Sequence, residues 1–111
     1  MHEEYSHLAA EIIKWPSKAE LVLMFEADGY AVTEGRYSVR LKDFDHFAFR
    51  ELGGDISQGC ITADHTSTEE LIAFSTRVSK TLSKAGVKHR FEIYNEKEEL
   101  AAYLHYDWPQ N

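Results

Sequence analysis

Residues Thr66 to Tyr94, TSTEELIAFSTRVSKTLSKAGVKHRFEIY, read as a capped helix, a stop and a strand. Ser67 and Glu70 have the S-x-x-E spacing of a capping box. In that motif the hydroxyl accepts from a free backbone N–H at the helix start, and the carboxylate reaches back to the Ser67 N–H. Leu71, Phe74, Val78, Leu82 and Ala85 recur at intervals of three and four, which makes one apolar stripe over several turns. Gly86 supplies a left-handed stop. Val87, His89, Phe91 and Ile93 then alternate with Lys88, Arg90, Glu92 and Tyr94, the period of a half-buried strand.

Towards the N-terminus, Ile56 to Ala63 alternates weakly about Gly59 and reads as a strand with a bulge or an edge. Gly53-Gly54-Asp55 reads as a turn, and Phe47 to Leu52 as a short strand with Phe47 and Phe49 on one side. Tyr37, Val39 and Leu41 alternate with Ser38, Arg40 and Lys42, a strand with one wet face. Asp28-Gly29 has the composition of a primed hairpin turn, from which Tyr30 to Thr33 returns antiparallel, and Glu34-Gly35 is a second turn. Leu21 to Phe25, within Glu20 to Ala27, is apolar without alternation and suggests a central strand covered on both faces. Glu3 to Trp15 reads as a first helix, with Tyr5, Leu8, Ala9 and Ile12 on one face and Pro16 ending it.

Beyond Tyr94, Asn95 and Glu98 repeat the capping spacing, and Leu100, Ala101 and Leu104 form a last short helical stripe. His105 to Asn111 is a tail whose Tyr106, Trp108 and Pro109 should dock on the body. The order α-β-β-β-β-β-α-β-α predicts an α+β fold. Its expected form is a mainly antiparallel sheet of about five or six strands with two or three helices on one face. Residues 1–111 are expected to form a single domain.

Six Tyr, six Phe and two Trp supply enough apolar surface for a packed core, which argues against disorder. No apolar run approaches the roughly 20 residues of a membrane-spanning helix. The opening Met1-His2-Glu3-Glu4 lacks the basic flank and apolar segment of a signal peptide, so a cytoplasmic location is expected. Cys60 is the only cysteine, and a chain without internal disulfides suits a reducing compartment.

The formal net charge is −7, from 19 carboxylates against 12 Lys and Arg. Between Leu71 and Phe91 there are five basic residues and no acid, leaving 7 basic and 19 acidic groups, a formal −12, on the other 90 residues. The molecule should therefore be electrically polarised. An acidic surface disfavours direct binding to nucleic acid or an anionic membrane and steers towards basic partners.

The histidines form no H-x-x-x-H pair and Cys60 no C-x-x-C, so no metal, cofactor or catalytic residue is assigned. Asp45-His46, Asp64-His65 and His105 with Asp107 are short-range pairs, while Glu3, His7 and Glu11 make a helix row that is more simply a solvated face. His89 reads as a partly buried histidine with one hydrogen-bond partner. Cys60 with His65 has the types of a nucleophile and its base, but Asp55 and Asp64 flank the thiol, which reads better as a small buried hydrophobe. Arg77, Lys80, Lys84, Lys88 and Arg90 form the candidate basic patch, with complementation of a helix C-terminus as the simpler reading. Glu26, Asp28, Glu34, Asp43, Asp45, Asp55, Glu96, Glu98 and Glu99 fall in predicted turns or helix starts, where exposure is expected, and form the candidate acidic surface.

Three functions follow as expectations. The first is a small, non-enzymatic, acidic protein-binding module that engages a basic partner, in the manner of an inhibitor, an immunity-type protein or a nucleic-acid mimic occupying a nucleic-acid-binding protein. The second is a metal- or carboxylate-dependent enzyme with a cluster at His46, His65 and His105. The third is RNA binding through the basic segment 77–90.

Overall fold

The computed structural model describes residues 5–44, 47–52 and 55–109. Asp45, His46 and the expected turn at Gly53-Gly54 lie outside them. The elements in order are β1 (Ser6–Ile12), α1 (Lys18–Ala27), β2 (Val32–Glu34), β3 (Ser38–Leu41), β4 (Ala48–Leu52), β5 (Asp55–Thr62), β6 (Asp64–His65), α2 (Thr68–Lys84), β7 (His89–Tyr94) and β8 (Leu100–Tyr106). The class is α+β, with two antiparallel four-stranded sheets, β6-β1-β7-β8 and β2-β3-β4-β5, in place of the one sheet expected. Ala63 is the hinge between them, since β5 runs through it into β6 and its carbonyl accepts from Leu8 N–H at 3.0 Å.

The α2–β7 unit forms where the sequence placed it. Ser67 accepts from Glu70 N–H, Leu71, Phe74, Val78 and Leu82 are buried, and Gly86 stops the chain at φ 75°. His89, Phe91 and Ile93 are fully buried against α2. Ala85, the last residue of the predicted stripe, is exposed, because the helix has ended there. The strands expected around Val39, Phe49 and Ile61 are β3, β4 and β5.

Three elements differ from expectation. Residues 6–12 are strand β1, not helix. Leu8 and Ile12 are four apart, a spacing that satisfies both the helical period and the strand period, and pairing between β6 and β7 decides for the strand. Residues 18–27 are helix α1, not strand. Ser17 and Glu20 form a complete capping box, with both reciprocal hydrogen bonds present, and Leu21 and Phe25 bury one stripe while Leu23 is left 69% exposed. Asp28-Gly29 accordingly ends a helix and makes no hairpin, with Gly29 at φ 88°. Residues 100–106 are strand β8, not helix. The Asn95 side chain accepts from Lys97 and Glu99 N–H at 2.9 Å each, but the turn it caps reverses the chain so that β8 returns along β7.

Each helix covers one sheet and the two helices touch. α2 packs on β1, β6, β7 and β8, and α1 packs on β2 and β3. The shared core is aromatic. Phe25 lies 5.3 Å from Phe49 and Phe74 lies 5.2 Å from Phe47, centroid to centroid, so rings from both helices meet the same strand region. Among the described residues, no helix is long and apolar enough to cross a membrane.

Candidate partner-binding surface

Alternation decides what the sheet β6-β1-β7-β8 shows to solvent. Ser6, Leu8 and Ile12 of β1, and His89, Phe91 and Ile93 of β7, point to α2, so their neighbours point away. The register aligns these neighbours in rows: His7 with Tyr94, Ala9 with Glu92 and Tyr103, and Glu11 with Arg90 and His105. No helix covers this face among the described residues. His7 stacks on Tyr94 at 5.3 Å, Tyr103 lies against His105 at 5.2 Å, and the Arg90 guanidinium sits 5.1 Å over the Trp108 ring. Arg90 also pairs with Glu11, which holds its guanidinium more firmly protonated than usual. Trp108 is thus docked on the sheet, whereas His105 and Tyr106 of the expected tail belong to β8 and Pro109 is exposed.

One end of this sheet is acidic. Pairing of Ser6 with His65 and of His7 with Tyr94, together with a 2.5 Å contact between the Ser6 and Thr68 hydroxyls, places three things side by side: the start of α2, β6 and the β7–β8 turn. Asp64, Glu69, Glu70, Glu96, Glu98 and Glu99 therefore share one end, with Lys97 the cation among them. Lys80, Lys84 and Lys88 lie towards the other end of α2. The charge separation follows the α2 dipole, acids at its N-terminus and bases at its C-terminus.

The predicted acidic residues divide between this end and other places. Glu96, Glu98 and Glu99 are exposed together in the β7–β8 turn, where Glu98 has a φ of 62°. Glu26 is exposed on α1, Glu34 lies 3.6 Å from Lys18, and Asp43 accepts from Ala31 N–H at 2.8 Å. Asp28 accepts from Lys84 at 2.6 Å and from Thr81 at 2.7 Å, and the Lys84 hydrogen bond foremost holds its carboxyl below the usual range. Asp55 begins β5, and Asp45 is outside the described residues. Asp64, Glu69 and Glu70, which sequence reasoning passed over, join the acidic end through the β6–β1 pairing, a contact no local pattern announces.

The basic segment is dispersed by the same pairing. Lys84 is held by Asp28, Lys88 by Asp107 at 3.3 Å, and Arg90 by Glu11 on the opposite side of the sheet from α2. Arg77 lies over the Tyr30 and Phe74 rings at 5.2 and 5.7 Å, beside exposed Lys80.

His65 and His105 occupy β6 and β8, the two outermost strands of one sheet, three strand spacings or ~14 Å apart across it and, with His65 opposite Ser6 and His105 in the row of Glu11, five residues or ~17 Å apart along it. His89 is fully buried and has two hydrogen bonds where one was expected: Nδ1 with the Val87 carbonyl at 2.8 Å and Nε2 with the Ser79 hydroxyl at 2.7 Å. Among the described residues, no group of three or more His, Cys, Asp and Glu side chains is arranged to hold a metal ion. Half-buried Cys60 faces Arg50 across the β4–β5 ladder. Concavities among the described residues include a cleft of about 760 Å³ beside Trp15, Leu23, Met24 and Val87, and a shallower hollow of about 430 Å³ beside Asp43, Phe44, His65, Glu70 and Arg77. No family model, curated protein sequence or solved structure matches this chain.

Proposed function

We propose that this chain is a non-catalytic protein-binding module whose uncovered sheet face, with its acidic end, receives a basic segment of a partner protein. The observation that carries this reading is the uncovered face itself. His7 stacked on Tyr94 and Tyr103 tilted against His105 stand there beside Glu92, with Glu96, Glu98 and Glu99 at the rim. Aromatic faces and carboxylates together are the chemistry that receives Arg and Lys, and Arg90 on Trp108 and Glu11 is an intramolecular instance. Of the six large hydrophobic side chains exposed among the described residues, Tyr103 stands on this face and Leu100 is in register with Tyr94 at its rim.

The test is retention of lysate proteins on the immobilised chain at low and moderate salt, with partners identified by mass. A basic protein held at low salt and released as salt rises is expected. Glu96→Lys with Glu98→Lys should weaken that retention roughly tenfold, while Glu26→Lys, on α1, should leave it near the wild-type level. Equal loss from both variants, or no basic protein retained, overturns the reading.

A further inference from the structure

The strand β8 ends the sheet β6-β1-β7-β8, and no described segment pairs with its outer side. Residues 100–106, LAAYLHY, contain no Lys, Arg, Asp, Glu or Pro. Exposed edges are ordinarily guarded by such residues, because a bare row of N–H and C=O groups invites another strand. Leu100, Tyr103 and Tyr106 are 54, 41 and 37% exposed along it. The outer strands of the second sheet are poorer templates, since β2 has three residues, ends in Glu34 and lies beside α1, while β5 opens on Asp55 and lies against β1.

We propose that β8 is a self-association edge, through which two copies of the chain pair antiparallel about a two-fold axis and join their sheets into one. Charge placement selects the second copy and the orientation. Glu96, Glu98 and Glu99 precede β8, whereas at its far end Lys88 with Asp107 and Arg90 with Glu11 are balanced pairs, and Arg90 is in register with His105. Antiparallel pairing sets the acidic turn of each copy beside the balanced end of the other. It separates the two acidic turns by about the length of the strand, roughly 24 Å, well beyond the Debye length of ~8 Å at physiological salt. Parallel pairing would bring them together. The isologous arrangement is also the one a single self-complementary edge permits. Because each copy carries −7, association through this edge strengthens as salt screens the repulsion, the opposite of the salt response expected for a basic partner.

Sedimentation equilibrium on the full chain over a series of concentrations and salt levels tests this. The expected result is a mass moving towards twice that of the chain as concentration and salt rise. Tyr103→Glu, at the middle of the strand where the two-fold axis passes, sets two carboxylates opposite each other and should weaken the dimer about tenfold or more. Hydrogen exchange on the wild type is a second readout that needs no variant: amides of 100–106 that face away from β7 should gain protection as concentration rises. A monomer under all conditions, a dimer indifferent to Tyr103→Glu, or exchange in 100–106 that does not change with concentration would each overturn the proposal.

Discussion

Nε2 of His65 lies 3.1 Å from the Glu70 carboxylate, and that contact completes the N-terminal cap of α2 by a route the S-x-x-E pattern does not describe. The Ser67 hydroxyl accepts from Glu70 N–H at 3.2 Å as the pattern requires. The Ser67 N–H, however, donates to Nδ1 of His65 at 2.8 Å, so the imidazole stands where the carboxylate of an ordinary capping box would be. With Nδ1 accepting, the neutral ring carries its proton on Nε2 and presents it to Glu70. The last strand of one sheet edge and the first turn of α2 are thereby tied through one side chain.

His65→Ala should cost about 1 kcal/mol of stability, the usual value of a helix cap, measured as a shift of the urea midpoint. Glu70→Gln should then cost less in the His65→Ala background than in the wild type, because its partner is already gone. Additive effects of the two changes would show that the relay contributes nothing.

Gly86 supports a separate prediction about the other end of the same helix. It sits at φ 75° with no atom within 4 Å of a built Cβ, so space is not at issue and only backbone conformation is. Gly86→Ala should cost roughly 1–2 kcal/mol in urea denaturation, and Gly86→Asn distinctly less, since Asn tolerates the left-handed region. Equal costs for the two would point to a cause other than φ.

The Ser67, Gly86 and β7 signals were legible because each is local: a cap, a stop and an alternation within a few residues. The misread elements are those whose local signals conflict. Ser17 and Glu20 announce a helix as plainly as Ser67 and Glu70 do, but Leu21 to Phe25 is a continuous apolar run, which periodicity alone does not divide between buried strand and buried helix. At Asn95 the side chain caps backbone N–H groups in the way expected, and the difference between helix start and hairpin turn lies in the pairing of residues 100–106 with β7. The candidate surface was half legible for the same reason. Glu96, Glu98 and Glu99 are neighbours in sequence, whereas Asp64, Glu69 and Glu70 join them only through sheet register.

His89 sets the expected response to pH. Burial holds its pKa below the ordinary value, with the Val87 carbonyl opposing and the charge of His105 adding to the depression. The folded chain therefore binds this proton less readily than the unfolded chain. As pH falls past about 6.5 the unfolded state takes up more protons and stability declines. The melting temperature should fall between about pH 7.5 and 5.5, and His89→Gln should flatten that slope. Asp28, whose carboxyl is also depressed, contributes in the same direction only below about pH 4, so the two are separable by range. An unchanged slope in His89→Gln would assign the effect elsewhere.

Phe74 offers a test of whether the two sheets unfold together. Its ring stacks on Phe44 at 4.7 Å, meets Phe47 at 5.2 Å and Tyr30 at 5.9 Å, and carries Arg77 above it, while its helix packs on the other sheet. Phe74→Ala should cost about 3–5 kcal/mol, a large part of the 5–15 kcal/mol typical of a domain, and Phe74→Leu appreciably less. Because β1 still contacts β5 and Phe25 still meets Phe49 once this ring is gone, the variant should still lose secondary structure and aromatic environment in a single transition, with far- and near-ultraviolet dichroism melting at the same temperature. Two separated transitions would mean that the Ala63 hinge joins two sheets of independent stability, and that the aromatic core does not couple them.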